Sequence, residues 1–142
     1  MRQKFLPALL VALALGGFQA LAEDKKIERK EIKPTAVGSG AEMYTNYCAV
    51  CHGLNGKGAG PAAAALKAAL PDLSLMAQKN GGKFPADHVA SSLKFGTDIS
   101  AHGSAAMPIW GPLFKSLNKT SEAEVQLRIA NLTKYLESLQ VK

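Results

Sequence analysis

Cys48-Ala49-Val50-Cys51-His52 is the stretch on which the reading of this chain turns. On a helix, residues 48, 51 and 52 stand at i, i+3 and i+4 and share one face. Two thiols so placed can add to the two vinyl groups of one porphyrin, while the imidazole reaches its iron. Cys-x-x-Cys-His is therefore the spacing of a covalent haem attachment site. Other chemistries of paired cysteines fit less well. Thiol-exchange motifs accompany a βαβ pattern, and no such pattern is found in this sequence. A structural zinc site needs four converging ligands, and only His88 and His102 would remain to complete one.

The ends of the chain set its organisation. Arg2 and Lys4 precede an apolar run from Leu6 to Phe18, and Ala20-Leu21-Ala22 supplies a small-x-small cleavage pattern before Glu23. Residues 1–22 thus read as a cleaved secretory signal peptide, the run being shorter than the roughly 20 residues of a membrane span. No cysteine near the cleavage site offers a lipid anchor, and no twin-arginine pair is present. The expected mature protein starts at Glu23, carries no transmembrane anchor and resides in a bacterial periplasm. Residues 23–39 mix charge with Pro34, Gly38 and Ser39, the composition of an extended or mobile arm. Residues 40–142 form the predicted domain.

The formal charge is +6, from 17 basic and 11 acidic residues, and loss of Arg2 and Lys4 with the signal lowers it further. That balance is mild and dispersed, which excludes a nucleic-acid binder. Lysines 57, 67, 79, 94 and 115 either ring a docking surface for an acidic redox partner or are ordinary solvated side chains.

Apolar spacing predicts helices. The first covers 41–51, with Tyr44, Tyr47, Cys48 and Cys51 toward one side, and Gly53 ends it. Four glycines make 53–60 a loop, and Pro61 starts a predicted second helix through Leu66 and Leu70. A short helix holds Leu73, Leu75 and Met76, and another runs from Pro85 to Gly96 around Val89 and Leu93. Residues 97–119 show no helical period. Ser121-x-x-Glu124 is a capping box opening a last helix, with Val125, Ile129, Leu132, Leu136 and Leu139 on one stripe. The domain reads as all-α.

In order along the chain stand Gly40-x-x-x-Tyr44, Cys48-x-x-Cys51-His52-Gly53, Gly60-Pro61, Met107-Pro108-x-Trp110-Gly111 and an aromatic-bearing terminal helix. This series resembles a small class I mono-haem cytochrome c, over about Gly40 to Leu139. The resemblance implies four to five helices wrapped around one haem c, attached through Cys48 and Cys51. It also implies a close crossing of the first and last helices, with Gly40 or Ala41 against Tyr135. His52 and Met107 would be the axial ligands, and Pro108 holds Met107 to an extended backbone. Met43 and Met76 fit core filling better. His102 is the rival ligand, while His88 reads as solvated. By the same resemblance the Pro61 carbonyl accepts a bond from the second ring nitrogen of His52. Trp110 packs on the haem edge, donates to a propionate, or is a core aromatic.

A His/Met site has no open position for substrate, so the expected role is a periplasmic one-electron carrier and not an enzyme. It would be a monomer passing electrons between a dehydrogenase or cytochrome complex and an oxidase or reductase. The alternatives are a dedicated haem subunit of a periplasmic dehydrogenase or oxidase complex, and a haem protein binding peroxide or nitric oxide through a labile Met107.

Overall fold

Ser39 opens the first helix, its hydroxyl accepting the Glu42 amide at 3.1 Å. In the computed structural model, which describes residues 33–66, 69–96, 107–117 and 120–141, three windings follow in series. Helix α1 is Gly40–Met43, a π-turn covers Tyr44–Cys48, and α2 is Ala49–His52. Met43, Tyr44, Cys48 and Ala49 all keep right-handed helical dihedrals, so the windings join without a break. The helix expected over 41–51 is present, with one wider turn that apolar spacing does not signal. Gly53, at φ +75°, ends it as expected.

Two expectations are corrected. The helix predicted from Pro61 to Leu70 is only a 3₁₀ turn, Ala63–Ala65, after which Leu66 turns extended. Its alanines bury nothing, and so short a helix is marginal in water without packing. Residues 97–119 do contain a helix, α5, Trp110–Ser116. Gly111 and Pro112 read as breakers, yet a proline in the first turn breaks no intrahelical bond. Trp110, Leu113, Phe114 and Leu117 fall at i, i+3, i+4 and i+7 and face the core.

The other elements follow the sequence closely. A 3₁₀ turn, Leu73–Leu75, leads into α3, Met76–Lys79, and Asp72 caps it by accepting from Ser74 N at 2.9 Å. Helix α4 is Ala86–Phe95, stopped by Gly96 at φ +86°. Helix α6 is Glu122–Ser138, capped by the Ser121 hydroxyl. Only half of the capping box forms, because the Glu124 carboxylate pairs with Arg128 at 3.3 Å instead. Among the described residues every regular element is helical.

Two glycines set the helix crossings. A Cβ on Gly40 would overlap the Asn131 carbonyl and lie 2.8 Å from Tyr135 Cβ, so α1 meets α6 backbone to backbone. Tyr44 and Tyr135 pack beside this contact, ring centres 5.3 Å apart. Gly111 likewise seats α5 on the Lys94 carbonyl of α4. Between the helices lie Met43, Tyr44, Val125, Phe114 and Leu132, all essentially fully buried. The chain's end is tied down as well. Gln140 accepts from Ala77 N and donates to the Leu73 and Leu136 carbonyls, each at 2.8 Å.

Residues 33–39, the described part of the expected arm, are pinned to the domain. Arg128 is 2 % exposed and donates to Thr35 Oγ1 at 3.1 Å and to the Thr35 carbonyl at 2.9 Å. Asn131 donates to the Val37 carbonyl, and Tyr47 to the Lys33 carbonyl at 2.7 Å. The earlier arm residues and the expected signal, 1–32, lie outside the described residues.

Candidate haem site

Cys48 closes the π-turn and is buried; Cys51, one turn on, is partly exposed, and both thiols are free. Burial, aided by the neighbouring Cys51, pushes the Cys48 thiol up to about 12. His52 follows at once and is 8 % exposed. Burial lowers its pKa from 6.5, so the imidazole is neutral and keeps a lone pair for a metal. Its Nδ1 is buried without a hydrogen-bond partner. Two free thiols and an unpartnered neutral imidazole within one turn are the donor set that haem c requires. The residues fit the group.

The backbone beneath His52 is unusually well held. A helix ends with four carbonyls lacking intrahelical donors, and here every one is met. Val50 O accepts from Ala62 N at 2.8 Å, Cys51 O from Gly60 N at 3.0 Å, His52 O from Gly58 N at 2.8 Å and Gly53 O from Gly56 N at 3.2 Å. The loop 53–60 therefore folds back over the end of α2. Gly60 makes this possible, since a Cβ there would lie 2.5 Å from Val50 O and 2.6 Å from Ala49 O. The Tyr44 hydroxyl donates to Gly53 O at 2.7 Å and ties the same turn to the core. Burial raises that phenol to about 12.

The bond expected from His52 to Pro61 is not made. Among the described residues His52 Nδ1 has no hydrogen-bond partner, the Pro61 carbonyl included. Trp110 is buried in the core, stacked on Tyr47 at 5.4 Å and tilted on Phe114 at 5.5 Å. Met107 is 41 % exposed, whereas Met43 is fully buried and Met76 packs against the core. His88 is exposed, and His102 lies outside the described residues. Of the expected docking lysines, 57, 79 and 115 are exposed and 67 is outside the described residues. Lys94 is instead paired with Glu122 at 3.2 Å.

Sequence reasoning missed the Tyr44 hydroxyl, Gly60 as a seat and the whole Arg128 cluster. Arg128 had a signal: it stands three residues after Val125 and four before Leu132, inside the apolar stripe. A charge on a buried face needs partners, and Glu124 is one turn back.

Residues 37–140 match the family described as Cytochrome c. No solved structure matches the chain. Among the described residues no helix is long and apolar enough to cross a membrane.

Proposed function

The chain belongs to the cytochrome c family, and from that premise we propose that it is a periplasmic one-electron carrier whose haem iron is held between His52 and Met107. Haem c, joined covalently through Cys48 and Cys51, supplies the ferric/ferrous couple. The observation that carries the reading is the neutral, buried His52 with its unpartnered Nδ1 beside two free thiols on one turn. Met107 supports the second half. Of the described methionines it alone is left out of the core, on a segment whose direction Pro108 restricts.

The chain's own residues then do three things. Cys48 and Cys51 tether the group to a helical turn whose four terminal carbonyls are all bonded. That rigidity holds His52 in one place whatever the iron's charge, which keeps reorganisation small. Two protein ligands leave no position for a substrate, so the role is transfer and not catalysis. Partners are redox proteins that meet the exposed side of 50–60, where Val50 and Leu54 face solvent. The periplasmic assignment rests on the signal pattern of residues 1–22.

Optical spectra of the haem-loaded protein, with and without cyanide or carbon monoxide, test the ligand set. A low-spin spectrum with the ferric iron–Met sulfur charge-transfer band, lost in Met107→Ala, is expected. High-spin iron or rapid ligand binding in the wild type would reject the carrier in favour of a small-ligand protein. N-terminal sequencing of the periplasmic fraction should begin at Glu23.

A further inference from the structure

Met107 and Ile109 are 41 % and 44 % exposed, Ile109 lies against Gly96 at the end of α4, and the first buried residue after them is Trp110. What fixes Trp110 therefore helps to fix the direction from which Met107 leaves α5. Gly111, on the Lys94 carbonyl, fixes its backbone. Its ring is held by Tyr47, stacked at an interplanar angle of 25°, and by Phe114.

Tyr47 lies in the π-turn immediately before Cys48, so it touches both halves of the site: attachment helix on one side, Met107 segment on the other. Its ring orientation is set by its hydroxyl. That hydroxyl donates to Lys33 O at 2.7 Å and shares a 3.1 Å bond with Thr35 Oγ1. Thr35 is in turn gripped by the buried Arg128, whose guanidinium also lies 5.9 Å over the Phe114 ring. The strap 33–37 thus closes a circuit from α6 through Tyr47 to Trp110.

We infer that Tyr47 is a positioning residue for Met107, and that Thr35 and Arg128 act through it. This rests on the reading of Met107 as the sixth ligand. Tyr47→Phe keeps the stacked ring and removes only the hydroxyl's two bonds. Thr35→Val keeps the shape and removes the oxygen that Tyr47 and Arg128 share. In both, the aromatic stack is free to shift and Met107 is held less firmly.

The test uses the ferric haem-loaded protein and the rate at which cyanide displaces the methionine, followed with the charge-transfer band. Tyr47→Phe and Thr35→Val should each speed displacement by about fivefold, the factor corresponding to the net worth of one hydrogen bond. Gly81→Ala is the control: it strains a positive-φ turn that meets nothing within 4 Å and lowers stability by a similar amount without touching the circuit. Its displacement rate should stay at the wild-type value. Wild-type rates in both variants, or an equal acceleration in Gly81→Ala, would overturn the inference. Absence of the charge-transfer band from the wild type would instead remove the Met107 reading, and the inference with it.

Discussion

Replacing Gly60 by alanine asks whether the loop 53–60 must sit directly on the end of α2. The added methyl would lie 2.5–2.6 Å from Val50 O, Ala49 O and the Cys51 carbonyl carbon, all of them backbone that cannot rotate aside. The loop must lift, and the bonds from Gly60 N to Cys51 O and from Ala62 N to Val50 O are the first to break. At roughly 1–1.5 kcal/mol each, their loss costs about 2–3 kcal/mol. For a domain of this size that is a fall of roughly 10 °C in Tm. Two other glycines separate crowding from backbone strain. Gly38→Ala meets nothing within 4 Å and needs no positive φ, so it should be neutral or slightly stabilising. Gly81→Ala also meets nothing, but its φ of +66° should cost about 1–2 kcal/mol. Urea unfolding of the haem-loaded protein, followed by fluorescence of the single tryptophan as it escapes haem quenching, measures all three. A loss under about 0.5 kcal/mol for Gly60→Ala with an unchanged m-value would refute the proposed seat.

Gly40→Ala should cost about 2–3 kcal/mol by forcing α1 off the Asn131 carbonyl, seen as a lower urea midpoint. Arg128→Met should cost about 3 kcal/mol, because it removes the two guanidinium bonds to Thr35 and leaves Glu124 unpaired. Limited proteolysis within 33–39 should accelerate in that variant. Tyr44 keeps its proton to about 12 when folded, against an ordinary value near 10, because burial disfavours the phenolate. Above pH 10 the unfolded chain releases a proton that the folded chain retains, so stability falls as pH rises from 10 to 12. Tyr44→Phe loses the bond to Gly53 but should show a flatter decline over that window in denaturant titrations at successive pH values.

What could be read in the sequence was whatever local chemistry decides. The attachment turn, its end at Gly53, the helix around Val89 and Leu93 and the last helix all stand where spacing and caps place them. The Gly40–Tyr135 crossing came from the family resemblance and is present in detail. Long-range bonding was less visible. Pro61-Ala-Ala-Ala-Ala has the propensity of a helix, but its alanines bury nothing and Ala62 N is tied to Val50 O, twelve residues back. Trp110-Gly111-Pro112 looks like a break, yet its glycine is needed for close approach to Lys94 and its proline sits where no donor is required. Arg128 and Thr35 are unremarkable apart and become a clamp only once the chain has brought together positions 93 residues apart.

The clamp also has a meaning in time. Thr35 and Val37 find their partners on Arg128 and Asn131, at separations of 93 and 94 residues, and Gly40 rests on Asn131 as well. A chain that emerges from its N-terminus first has nothing for these residues to hold until α6 has appeared. Closing so long a loop is then a late, entropically costly step. Because α6 follows the attachment turn in the chain, there is a period before α6 docks in which the thiols of Cys48 and Cys51 are open to reaction, and docking then buries Cys48.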